Sequence, residues 1–134
     1  MKLLFLPVLA LLAGCQTAPP YDNASQVLER NGFTKINSMA QAKVGTVVKN
    51  VNDQIPELFD ALSHSAIISN TAVAPSCSLG VENGAFLPSQ TIRIDVEESG
   101  LGVISYLGKK IYFSSPDFSL ACARAFEMSR TVVH

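Results

Sequence analysis

The first fifteen residues, MKLLFLPVLALLAGC, decide how much of the chain is left to fold. Lys2 supplies a positive charge, and Leu3 to Leu12 form an apolar run of ten residues broken only by Pro7. A helix needs roughly 20 apolar residues to cross a hydrocarbon core of about 30 Å, so this run is too short to span. A basic start, a short apolar stretch and small residues at positions 13 and 14 are the pattern of an export leader. Residues 1–14 are therefore set aside, and the fold has to come from residues 15–134.

That remainder is 120 residues, which have lost only Lys2 from the charged set and carry nine basic against eleven acidic side chains. It is one domain. The whole chain is 48% apolar and 16% charged, which excludes a disordered chain. A net charge of −1 creates no overall field to recruit DNA, RNA or an anionic surface, so no nucleic-acid partner is expected. With no Trp, three Tyr and seven Phe, a base-stacking platform is not expected either.

Leu12-Ala13-Gly14-Cys15 resembles the lipobox of bacterial lipoproteins. The resemblance covers only the leader. It implies a diacylglyceryl thioether on Cys15, cleavage between Gly14 and Cys15, and a third acyl chain on the new amino terminus. Two or more acyl chains anchor a protein stably. Gln16 stands where enterobacterial-type lipoproteins kept in the inner membrane usually carry Asp. The resemblance therefore implies an anchor in the outer membrane, with the domain on the periplasmic side. With Cys15 consumed and an oxidising compartment implied, Cys77 and Cys122 are left to pair. The loop they close spans 45 residues, worth on the order of 3–4 kcal/mol. Metal ligation competes for the same thiols, but two Cys and two His without CxxC or HxxxH spacing do not make a zinc site.

Residues 15–22 read as the lipidated cysteine and a short tether, with Pro19-Pro20 favouring an extended chain. The domain then spans 23–134. Asn23 is placed to cap a short helix, Gln26 is its capping-box partner, and Gly32-Phe33 reads as its end. Residues 42–48 are β-branched and predict a strand, with Gly45 weakening it or marking a bulge. Asn52 or Asp53 is expected to cap the next helix. Ile55, Leu58, Phe59 and Leu62 form its buried stripe, and its end is placed near Ile67-Ile68. Residues 69–88 lack periodicity. They read either as a long functional loop pinned by Cys77 or as a loop with a strand near 76–81.

Residues 91–114 read as an antiparallel meander. Thr91, Ile92, Ile94 and Val96 alternate with Arg93, Asp95 and Glu97, and turns at 99–102 and 108–109 lead into strands 103–107 and 110–114. Ser115-Pro116 opens a last helix whose stripe is Phe118, Ala121, Cys122, Ala125 and Phe126. The expected class is a small α+β domain with helices packed on one face of an antiparallel sheet and one disulfide. Residues 103–126 also look like the hairpin and helix of YHS-type metal-associated domains. Ser114 and Phe118 replace the cysteines of that family, so the likeness implies no metal chemistry here.

Catalytic patterns are scarce. His64 is expected on the polar face of its helix as a solvated side chain, and His134 ends the chain. There is no GxSxG, HExxH or Gly-rich phosphate loop, and no cofactor is expected. Asp95, Glu97, Glu98 and Glu82 read as a solvated strand edge, because a calcium loop or an aromatic-walled carbohydrate cleft is not present. Asp53, Glu57 and Asp60 read as helix N-terminal charges.

These readings favour a non-enzymatic lipoprotein that binds an envelope protein through a meander edge or through residues 69–88. The architecture is similar to that of pilotin-type secretion accessories, which bind a secretin tail; a conjugation-exclusion lipoprotein shares every feature. The competing class is a small periplasmic enzyme or an enzyme inhibitor.

Overall fold

The structure is a computed structural model that describes residues 21–84 and 90–129. The chain order is α1 (Ala24–Arg30), β1 (Ser38–Val44), β2 (Val47–Asn50), a 3-10 turn (Asn52–Gln54), α2 (Ile55–Ser63), β3 (Ala66–Ile68), β4 (Cys77–Asn83), β5 (Gln90–Val96), β6 (Leu101–Tyr106), β7 (Lys109–Ser114) and α3 (Pro116–Met128). All strands join one antiparallel sheet in the order β2-β1-β4-β5-β6-β7-β3. The expected α+β class and the meander β5-β6-β7 are both present.

Helix ends follow from capping chemistry. Asn23 Oδ1 accepts from the Gln26 amide at 3.1 Å. Gln26 Oε1 reaches back one residue further than a capping box, to the Asp22 amide at 2.9 Å. At the other end Gly32 takes φ +89, and the amides of Phe33 and Gly32 donate to Leu28 O and Glu29 O. Those two bonds are a Schellman closure, with Phe33 buried against the helix it ends. Ser115 Oγ accepts from the Phe118 amide at 3.1 Å, with Pro116 at the first helical position of α3.

Three expectations are corrected. Gly45 is neither a weak point nor a bulge: it has φ +62 and opens a two-residue turn that pairs Val44 with Val47, so residues 38–50 form a hairpin. A glycine in first position is the II′ pattern that matches strand twist. The second helix stops at Ser63 rather than near Ile67-Ile68, and Ala66–Ile68 pairs with Tyr112–Ser114 as the edge strand β3. Ser63 and Ser65 hydroxyls turn back onto Asp60 O and Leu62 O, which satisfies the last carbonyls and ends the helix. Neither Asn52 nor Asp53 caps α2, whose N-cap Gln54 makes no side-chain bond. Asn52 Oδ1 instead accepts from the Ala40 amide at 2.7 Å, joining the turn to β1.

The open question about residues 69–88 is also resolved: Cys77–Asn83 is strand β4, third in the sheet, with alternating burial. One face of the sheet presents Ala40, Ala42, Leu79, Val81, Ile92, Ile94, Ile104 and Phe113 to α1, α2 and α3, and this is the core. Cys77 and Cys122 are bonded and nearly inaccessible, tying α3 to β4 across that core. Lys49 on β2 extends over the Phe126 ring, 4.4 Å from its centroid.

The connection 69–76 has to travel from edge strand β3 back across β7, β6 and β5. The β2-to-β3 crossover already uses the helical face, and a return crossover of the same right hand uses the opposite face. Burial agrees with that path. Val103 and Asp95 point away from the helices, yet each is less than a tenth exposed. The Ala74 amide donates to Glu97 Oε1 at 3.1 Å, and the Ser76 amide to Val96 O at 2.9 Å.

Candidate functional site

The meander edge expected to receive a partner is not a free edge along its whole length. On its outer side β7 is covered by β3 at Tyr112, Phe113 and Ser114 only. Among the described residues no strand pairs with Lys109, Lys110 and Ile111 on that side. Among the described residues, half of β7 is thus an open edge, in line with β3.

A cleft of about 510 Å³ lies beside that half-strand, lined by Tyr21, Ile67, Ile68, Asn70, Lys110, Ile111 and Tyr112, with Gly108 at its rim. Its walls are two tyrosines and three isoleucines, and its polar groups are one amide side chain and one ammonium. An unpaired ladder beside apolar side-chain pockets is what an added strand requires: backbone bonds hold it, and the pockets choose its side chains. Tyr21 also lines a second cleft of about 130 Å³ with Val27, Asn31, Ile104, Tyr106, Leu107, Lys109 and Ile111. Arg30 stands over the Tyr21 ring, 5.4 Å from its centroid. Sequence reasoning assigned Tyr21 to the tether; an aromatic two residues before a helix cap was the available signal.

The other exposed surface is a shallow polar trough on the outer face of β1, β4 and β5. Gly80 forms its floor, because a Cβ there would meet nothing within 4 Å. Gln41, Lys43, Val48, Ser78, Thr91 and Arg93 surround it. Asp95 closes one end, accepting from Ser78 Oγ at 2.6 Å and from Arg93 Nε at 3.0 Å. This corrects the reading of Asp95 as a solvated acid: it is 8% exposed and hydrogen-bonded.

The remaining expected residues are dispersed. His64 lies just beyond α2 rather than on its polar face, with Nδ1 3.7 Å from Asp117 Oδ2, and both side chains are more than half exposed. Glu97 accepts from Ser99 Oγ and the Ala74 amide, and these bonds hold its carboxyl below the usual range. Glu98 contributes only its carbonyl, to Ser119 Oγ, and Glu82 lies across the trough from Asp95's end. Glu57 lies in the first turn of α2, where its charge suits the dipole, whereas Asp53 sits in the preceding 3-10 turn. Among the described residues no three His, Cys, Asp or Glu converge as a metal site, and no helix is long and apolar enough to cross a membrane. Cys15, Gln16 and His134 lie outside the described residues.

No protein-family model and no curated protein matches the chain. Among solved structures it is similar to a crystal structure described as a "Putative Lipoprotein from Clostridium perfringens". The two are 15% identical with a TM-score of 0.54, and the match covers 77% of this chain and 93% of that one. At that identity the likeness is one of fold alone.

Proposed function

We propose that the chain is a lipid-anchored envelope protein that works by binding another protein, without chemistry of its own. The half-paired strand β7 beside the 510 Å³ cleft carries this reading, since it offers a backbone ladder and apolar pockets in one place. The lipobox-like Leu12-Ala13-Gly14-Cys15 supports the anchor. The fold likeness to a protein itself described as a lipoprotein agrees with it. Gln16 supports the outer membrane as the site of anchoring.

Within this class the size, the anchor and the disulfide-braced α+β domain favour a pilotin-like secretion accessory. The ligand would then be an extended tail segment of a secretin, added to β7 as a strand. The test is a crosslinked pull-down of the lipidated protein from its own host, with mass spectrometry of the proteins that co-purify. A secretin subunit as the dominant partner is the expected result. A different dominant envelope protein retains strand addition and removes the pilotin role. No enrichment over a control domain carrying the same anchor overturns the binding function.

A further inference from the structure

Among the described residues, the two most exposed large apolar side chains lie at one end of the sheet. Ile36 is 97% exposed and Leu107 is 76% exposed. Ile36 precedes β1 at its Ser38 end, which pairs with Asn83 and through it with Gln90. Leu107 is at the tip of the β6-β7 hairpin, and three contacts hold the two segments together. Asn83 Nδ2 donates to Gly32 O, the Tyr106 hydroxyl donates to Gln90 Oε1, and the Phe33 and Tyr106 rings meet edge-on at 5.4 Å. Lys35 flanks Ile36, and Lys109 and Lys110 flank Leu107, all three exposed. The acids of the adjoining segments are Asp22, Glu29 and Glu82. Three ammonium groups and three carboxylates thus share this end, and the two exposed apolar tips are what sets it apart.

Leu107 is also in a backbone conformation that disfavours it. Its φ is +51 and that of Gly108 is +78, so the pair forms a two-residue turn in which both residues are left-handed. Asn or Gly suits such a position, and a leucine there is strained and wet at once. Strain of this kind persists where the side chain has a use.

We infer that this end of the domain is a membrane-contact surface: Leu107 and Ile36 enter the headgroup boundary of a phospholipid bilayer, and Lys35 and Lys109 pair with its phosphates, while Lys110 stays with the cleft. The inference rests on the lipid anchor at Cys15. Six residue steps separate Cys15 from Tyr21, a reach of about 20 Å at full extension. Tyr21 lines both clefts together with Leu107, Gly108, Lys109 and Lys110. The anchor therefore holds this end within that reach of the acyl chains. The opposite end of the sheet, at the Val44–Val47 turn, is farther by a strand length of about 20 Å, so it meets the bilayer only with the tether fully extended. Tyrosine, lysine and an isolated large apolar residue are the side chains that settle at such a boundary.

The test uses full-length protein purified from its host membrane, with its mass measured intact. Leu107→Cys, Ile36→Cys and Val47→Cys each carry a polarity-sensitive fluorophore. The proteins are reconstituted in vesicles of phosphatidylethanolamine and phosphatidylglycerol containing a headgroup-proximal spin-labelled lipid. The label at 107 or 36 loses most of its emission to the spin-labelled lipid, and the label at 47 keeps its emission. Leu107→Asn relaxes the turn without unfolding it, and it restores most of the emission of a label at 36. An acylated protein whose labels at 107 and 36 behave like the one at 47 overturns the membrane contact alone. A mass without acyl chains overturns the anchor, and the contact falls with it.

Discussion

Gly102 has no side chain because Phe113 fills the space a side chain would need. A Cβ at position 102 would stand 2.3 Å from Phe113 Cζ and 2.6 and 2.8 Å from its two Cε atoms. The two residues are register partners on β6 and β7. Phe113 is fully buried and meets Phe118 edge-on, with centroids 6.0 Å apart. The ring cannot yield without moving Phe118, which lies one turn before the disulfide cysteine of α3. Forcing a methyl group into a close-packed core costs about 1–3 kcal/mol. Replacing a flexible glycine returns about 0.5–1 kcal/mol from the unfolded chain. A 2.3 Å collision lies at the upper end of that cost, so Gly102→Ala is expected to lose about 2 kcal/mol, as a lower urea midpoint with unchanged slope. Phe113→Leu destabilises by itself but clears the collision. The double variant should lose at least about 1 kcal/mol less than the sum of the singles. Gly102→Ala as stable as the parent, or singles that simply add, would refute the packing argument.

Three more perturbations probe the same structure. Removing the bridge with Cys77→Ala and Cys122→Ala frees a 45-residue loop and should cost about 4 kcal/mol in a urea titration; a loss under about 1 kcal/mol would mean that the unfolded chain is not constrained by it. Leu107→Asn should raise the thermal midpoint by relieving about 1 kcal/mol of left-handed strain, and a lowered midpoint would show that Leu107 packs on the fold. Glu97 has a folded pKa below its ordinary value of 4.5, so its contribution is present at neutral pH and declines as pH falls through the depressed folded value. Glu97→Gln should flatten the acid limb of a stability-against-pH curve, and an unchanged limb would remove Glu97 from the acid response.

Local chemistry made parts of the fold legible from residues alone. Asn23, Gly32-Phe33 and Ser115-Pro116 mark helix ends through bonds that reach no more than five residues, and each forms as read. The disulfide followed from cysteine count and compartment. The misreadings involve partners distant in sequence. Three residues of β3 carry no periodicity, and only pairing with Tyr112–Ser114 makes them a strand. Asn52 looks like a cap until its side chain finds Ala40 twelve residues away. Asp95 alternates with buried residues as a solvent-facing acid should, yet it is 8% exposed and bonded to Ser78 and Arg93. The candidate cleft was not legible at all, because Tyr21, Ile67 and Ile111 meet only once β3 has joined the sheet.

Strand addition at β7 is tested most directly by a photoreactive side chain placed at Lys110, beside the open half-strand, and compared with one at Leu120, exposed on α3. Irradiation in the native host should give one discrete product with an envelope protein from position 110 and none from position 120. Crosslinks from both positions alike, or from neither, would contradict binding at this edge.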